Sequence, residues 1–284
     1  MSTQETADSP AARDADQRRQ RGREAFRDVM TVDPPEDSSP ATDVLLEGVF
    51  AEVWTRPALR RRDRRFVTLA CVADADVEQE IVEHVYAALN SGDVTITEMR
   101  EAVLHFAVYA GWPKASRFDG IVDKQWERIH RERGIPVPAR EPLLPLTTAS
   151  DPEARLAGGE QSFRDINCLA FSPNRDNPFQ GAGILNFVFG EMWLRPGLGM
   201  KERRLITLAC VAFQDAPTPI LSHVYAALAS REVSFTEMDE LIRHIAVYCG
   251  WPKASHLNHA VTEVKPRVLA EWQTEHAPTG QEQP

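Results

Sequence analysis

His84-Val85-Tyr86-Ala87-Ala88-Leu89 reappears, letter for letter, as His223-Val224-Tyr225-Ala226-Ala227-Leu228. Working outward, Tyr109-Ala110-Gly111-Trp112-Pro113-Lys114 answers to Tyr248-Cys249-Gly250-Trp251-Pro252-Lys253, and Trp54-Thr55-Arg56-Pro57 to Trp193-Leu194-Arg195-Pro196. All three pairs share one separation, about 139 residues, and between Gly48 and Ser116 about 39 of 69 positions equal their counterparts. Upstream, Ala25-Phe26-Arg27-Asp28 matches Ser162-Phe163-Arg164-Asp165 with a two-residue shift. A long self-similar segment is one structural unit copied. The chain therefore reads as two units, 21–134 and 159–275, joined by a linker at 135–158 rich in Pro, Gly and small polar residues. Residues 1–20 and 276–284 are polar, offer little to bury, and are expected to be disordered.

Each unit reads as helices. Val44, Leu45, Val49, Phe50 and Val53 share a helical face between Asp43 and Trp54, and Pro57 ends that run. Asp63 to Ala73 begins charged and turns almost wholly apolar, as suits a helix buried on most sides. From about Glu78 to Asn90, Ile81, His84, Val85 and Ala88 fall on one face, and Ser91-Gly92-Asp93 closes the helix. Thr95 with Glu98, and Ser234 with Glu237, have capping-box spacing for a fourth helix that stops near Gly111. Pro113 then suits the first turn of a fifth. Clean period-two alternation is absent, so the expected fold is all-α, with two tandem helical domains.

The formal net charge of −10 argues against a general nucleic-acid surface. Apolar runs fall short of the roughly 18 residues of a membrane span. Four cysteines without a Cys-x-x-Cys, and the lack of a signal peptide, lead to the expectation of a cytoplasmic protein. Clustered Cys/His ligand spacing, a phosphate-cradling glycine loop and a nucleophile elbow are absent from the sequence, and metal is not expected.

The paired polar residues are the candidates for chemistry. His84 and His223 sit on apolar helix faces, where a histidine is either a satisfied core residue or a proton donor and acceptor. His105 and His244 have apolar neighbours that favour packing. Arg56/Arg195, Arg64/Arg203 and Arg65/Arg204 recur, and a guanidinium fork suits a carboxylate. The plain alternative for Arg64 and Arg65 is a pair of salt bridges to acids such as Glu52. Glu52 and Glu191 lie on otherwise apolar helices, each two residues before its Trp, and need a partner or a proton-transfer role. Cys71 and Cys210 read as small core residues.

Phe189-Gly190-Glu191-Met192-Trp193-Leu194-Arg195-Pro196-Gly197-Leu198, with Arg203 to Ala209, the His223 hexapeptide and the Tyr-x-Gly-Trp-Pro segments, resembles the carboxymuconolactone decarboxylase family. The AhpD-like branch of that family uses a Cys-x-x-Cys. Here those positions are Val77 and Glu80, and Ala216 and Pro219, so thiol redox chemistry is not expected. The resemblance implies instead a cofactor-free carboxy-lyase of aromatic catabolism, acting on an acidic lactone such as 4-carboxymuconolactone. It would bind carboxylates through Arg56, Arg64, Arg65, Arg195, Arg203 and Arg204. His84 and His223 would supply the proton, and Glu52 and Glu191 would orient them. It also implies a homo-oligomer, here a trimer of two-unit chains. The other readings are a related lyase or isomerase on another lactone or acid in a biosynthetic pathway, and a non-catalytic helical scaffold. Two departures separate the units. The family's Asn-x-Gly is Asn90-Ser91-Gly92 in the first and Ala229-Ser230-Arg231 in the second. Its Phe-Gly-Glu-x-Trp is intact only in the second, the first reading Phe50-Ala51-Glu52-Val53-Trp54.

Overall fold

In the computed structural model, which describes residues 10–36 and 39–275, the apolar periodicities become helices, and no strand occurs among the described residues. Unit one runs α1 (Pro10–Met30), α2 (Pro40–Val44), a first π-helix (Leu45–Trp54), α3 (Arg61–Ala75), α4 (Glu78–Asn90), α5 (Ile96–Ala110) and α6 (Trp112–Glu132). Unit two runs α7 (Pro152–Asn167), a second π-helix (Phe179–Phe189), a 3₁₀ turn (Met192–Leu194), α8 (Met200–Phe213), α9 (Pro217–Ala229), α10 (Phe235–Cys249) and α11 (Trp251–Glu275). The expected caps form. Thr95 and Ser234 each complete a capping box, and Gly111 and Gly250 end α5 and α10 at φ of 89° and 92°.

The segment expected to be one ordinary helix before each Trp is instead wound as a π-helix. Its buried residues, Leu46, Phe50 and Trp54, recur every fourth position. Residues 10–20, expected to lack structure, form the first half of α1. Arg18 and Arg19 hold them against Glu47, Glu52 and Asp43. The remainder of the expected disorder, 1–9 and 276–284, lies outside the described residues. The expected linker is helical from Pro152 onward, and its extended part is fastened to unit one by Arg140, which bonds Asp119 and Asp123.

The two units share one core. Phe66, Val67 and Leu69 of α3 belong to the same apolar cluster as Leu205, Ile206 and Leu208 of α8. This explains why α3 and α8 are apolar almost all round: each is covered by its own unit on one side and by the other unit on the other. The helices also cross over, for α5 packs on α8 and α10 packs on α3. That crossing positions the site described below. No described helix is long and apolar enough to cross a membrane.

Candidate active site

The first site forms around His84. Helix α4 carries His84 on its apolar face, only 6% exposed. The end of the first π-helix lays Trp54 nearly parallel to it, with ring centroids 6.4 Å apart. Arg65 of α3 lies over Trp54 at 5.3 Å. It donates through Nε to Asp93 (3.1 Å) and through Nη2 to the Val29 carbonyl.

The remaining members come from unit two. Tyr248 of α10 accepts a hydrogen bond from Trp54 Nε1 (2.9 Å) and turns its ring edge-on to His84 at 5.6 Å. One turn earlier, His244 Nδ1 faces Arg64 Nη1 at 3.4 Å, and Nε2 faces Thr68 Oγ1 at 2.7 Å. An arginine only donates, so the His244 ring proton sits on Nε2 and is given to Thr68. Trp54 donates to the Tyr248 oxygen, which leaves the Tyr248 O–H free to be given away.

The second site repeats this with the units exchanged. His223 of α9 lies parallel to Trp193 at 6.3 Å, and Arg204 lies over Trp193 at 5.2 Å. Arg204 donates to Glu232 (2.7 Å) and to the Ile166 carbonyl. Tyr109, from unit one, accepts from Trp193 Nε1 (2.9 Å) and meets His223 edge-on at 5.5 Å. His105 accepts from Arg203 at 3.3 Å and donates to Thr207 at 2.9 Å. Each site is thus completed by a tyrosine and a histidine from the other unit.

Four buried polar atoms in these two clusters have no hydrogen-bond partner among the described residues: His84 Nδ1 and Arg65 Nη1 in one, and His223 Nδ1 and Arg204 Nη1 in the other. An orphaned buried polar group costs about 1–3 kcal/mol. The same two atoms orphaned in both copies mark a place for an acceptor that the chain itself does not provide. Burial, reinforced by the Arg65 charge, pushes His84 down to about 3, and burial with Arg204 does the same to His223. Both rings are therefore neutral near pH 7. Burial also raises Tyr248 to about 12 and moves Tyr109 in the same direction, so both keep their protons. Beside His223 a cavity of about 530 Å³ opens, and both His223 and Tyr109 reach it.

The other expected site residues fall elsewhere. Arg195 makes a bidentate pair with Glu101 across the unit boundary, both bonds at 2.8 Å, and Arg56 reaches both carboxylate oxygens of Glu240 through Nε alone, at 2.8 and 2.7 Å. Arg64 is spent on the Leu59 and Arg56 carbonyls, Glu240 and His244, and Arg203 on the Met192 and Arg195 carbonyls and His105. Salt-bridge partners of Arg64 and Arg65 are Glu240 and Asp93, with Glu52 elsewhere. Of the six paired arginines, Arg65 and Arg204 are the two that keep an unpartnered buried N–H. Glu52 is 56% exposed and paired to Arg18 at 2.8 Å, and Glu191 faces Arg155 at 3.4 Å. Both point to the first helix of their unit, α1 and α7: Glu52 lies on the first π-helix, whose buried face carries Trp54, and Glu191 lies just before the 3₁₀ turn that buries Trp193.

Tyr109/Tyr248, Trp54/Trp193, Thr68/Thr207 and Glu101/Glu240 were not among the expected site residues. Each is an identical pair in the repeat, and Glu101 and Glu240 are charged residues on buried helix faces. That signal was available, although the exchange between units was not. Cys71 and Cys210 are buried in the core as expected, and Cys71 Sγ meets Cys249 Sγ of unit two at 3.2 Å.

The carboxymuconolactone decarboxylase family matches the chain twice, over residues 41–124 and 181–263. The chain belongs to this family. It is 40% identical over 74 residues to the nitrosuccinic acid decarboxylase of Metarhizium robertsii, covering 26% of the chain and 51% of that protein. It is also 40% identical over 67 residues to the 4-carboxymuconolactone decarboxylase of Acinetobacter baylyi, covering 24% of the chain and 49% of that protein. The chain spans about half the length of each of these relatives.

Proposed function

We propose that the protein is a cofactor-independent carboxy-lyase acting on an acidic lactone or a related activated acid, of which 4-carboxymuconolactone is the model. The supporting observation is the twice-repeated set of orphaned buried atoms, His Nδ1 and Arg Nη1, beside a tyrosine that accepts from a tryptophan N–H. The two relatives, both named as decarboxylases, support the same reading.

In such a reaction the C–C bond to the departing carboxylate breaks, CO2 leaves, and the electron pair passes through the C=C bond to the lactone carbonyl. One proton must then reach carbon. Arg65 and Arg204 hold a substrate carboxylate or the developing oxyanion through the free Nη1. Tyr248 and Tyr109 donate their O–H to the same developing charge. His84 and His223 deliver the proton. They are neutral in the free protein, and a bound anion favours the imidazolium by offsetting the arginine charge, so the proton arrives with the substrate. The substrate is its own electron sink. The trimer of two-unit chains is part of this proposal, and light scattering of the intact protein checks it: a monodisperse monomer refutes it.

The test of the activity is CO2 release from a γ-carboxylated butenolide. Replacing both His84 and His223 by Asn is expected to lower the rate by about 10²–10⁴-fold. Unchanged turnover would remove the histidines from the mechanism.

A further inference from the structure

The cavity at His223 has walls that a small polar diacid does not need. Its buried floor holds the His223 imidazole and reaches Tyr109 and Ser222. Above that floor it is lined by Phe163, Leu169, Ile184, Phe187 and Val188, and Phe179 stands 75% exposed beside it. At about 530 Å³ it lies within the range of ligand pockets that enclose a drug-sized molecule. A second carboxylate placed against these phenyl and aliphatic walls would be desolvated without a partner, which is costly. An aryl or alkyl group placed there gains from burial instead.

The repeat sharpens the point, because it shows what the same positions hold in unit one. Phe187 answers to Gly48, and Ser222 to Glu83, while the buried Asn167 answers to Met30 two residues out of register. The catalytic frame is the same in both units, and these surrounding positions are not. At His223 one further phenyl, an uncharged hydroxyl and the Asn167 amide stand where unit one has a bare backbone, a carboxylate and Met30, while Phe163, Ile184 and Val188 answer to the equally apolar Phe26, Leu45 and Val49.

We infer that the His223 site takes a monocarboxylic acid, activated by a lactone or keto group, whose carboxylate end meets His223 and Tyr109 while an aryl or alkyl substituent fills the cavity between α7 and the second π-helix. This rests on the carboxy-lyase reading for the activated group, but the apolar wall and its ligand class are independent of turnover.

The test is binding, read by calorimetry on the intact chain, with 3-phenylpropanoate and succinate as unreactive probes. The expected result is that 3-phenylpropanoate binds at least about tenfold more tightly than succinate. Two variants use residues the fold already accommodates at the matching positions of unit one. Phe187→Gly is expected to weaken 3-phenylpropanoate about tenfold and leave succinate nearly unaffected. Ser222→Glu is expected to weaken both acids by like-charge repulsion. Equal or tighter binding of succinate, or 3-phenylpropanoate binding that ignores both variants, would overturn the inference. So would light scattering in which Phe187→Gly dissolves an oligomer while acid affinity stays the same, since the wall would then belong to a second copy of the chain. Tight, wall-dependent binding with no CO2 release from any activated acid would uphold this inference and sink the carboxy-lyase reading. CO2 release confined to small diacids, with both variants silent, would do the reverse.

Discussion

The His84 and His223 sites are built from the same eight side chains in the same arrangement, yet their surroundings differ. Trp, Tyr, two His, Thr, Glu and two Arg repeat with distances that agree closely: Trp to Tyr is 2.9 Å in both, and His to Thr is 2.7 and 2.9 Å. The arginine pairs with Asp93 in one site and with Glu232 in the other. Around them Gly48 stands against Phe187 and Glu83 against Ser222. Duplication has kept the interlocking frame, where each change would leave a buried charge or hydrogen bond unpartnered, and has let the periphery drift, where it would not. The two clusters therefore share one frame and differ in the residues around it.

The largest expected effect tests the exchange of residues between the units. Tyr109→Phe with His84→Asn alters two residues of unit one, one in each site, and is expected to remove activity from both. Tyr109→Phe with His223→Asn alters both units but damages one site only, so the activity of the His84 site persists. Steady-state CO2 release separates the two. Sites confined to their own units would give the opposite ranking.

Acid sensitivity is the next largest effect. His84 and His223 sit at about 3 in the folded chain, against an ordinary value near 6.5. Between those values the unfolded chain binds more protons than the folded one. Stability from these groups is complete above about pH 6.5 and is lost as pH falls toward 3, on the order of 4 kcal/mol for each ring. His105 and His244, lowered chiefly by burial, act in the same direction. Urea unfolding from pH 7 to 4 is expected to show a steep decline that becomes shallower when His84 and His223 are both Asn. An unchanged slope would contradict the buried neutral state of these rings.

The two ion pairs across the unit boundary should break unequally. Arg195→Met leaves Glu101, 2% exposed, without the arginine that pairs with it bidentately, and is expected to cost about 3–5 kcal/mol. Arg56→Met leaves Glu240 still paired with Arg64 and Arg243, and Arg56 is itself 41% exposed, so the cost is expected near 1 kcal/mol. Equal costs in urea unfolding would show that the two clamps are not distinguished by burial.

The smallest effect is at the glutamates. Glu52→Gln removes a half-exposed partner of Arg18, and Glu191→Gln one of Arg155. Each is expected to change stability by less than about 0.5–1 kcal/mol and activity by less than about twofold. A loss of a hundredfold or more would restore them to the proton path.

The helices were legible because their signals are local: capping boxes at Thr95 and Ser234, glycines at 111 and 250, and the apolar face of α4. The duplication was legible because identity survives without any structure. The π-winding before Trp54 and Trp193 was not, since its apolar spacing also fits an ordinary helix. The first half of α1 was misread from its charge, because its order comes from Arg18 and Arg19 reaching acids some 24–34 residues away. His84, His223, Arg65 and Arg204 were visible as repeated polar residues among apolar ones. Tyr109 and Tyr248 were not singled out, because their place depends on α5 and α10 crossing into the opposite unit, a long-range fact with no local mark.

The central claim is that Tyr109 belongs to the His223 site and Tyr248 to the His84 site. The most direct measurement is the carbon–proton NMR spectrum of the histidine rings in the intact chain, free of substrate. Tyr109→Phe is predicted to shift the His223 ring signals and leave those of His84 in place, and Tyr248→Phe to do the converse. A shift of His84 on changing Tyr109, with His223 unmoved, would contradict it.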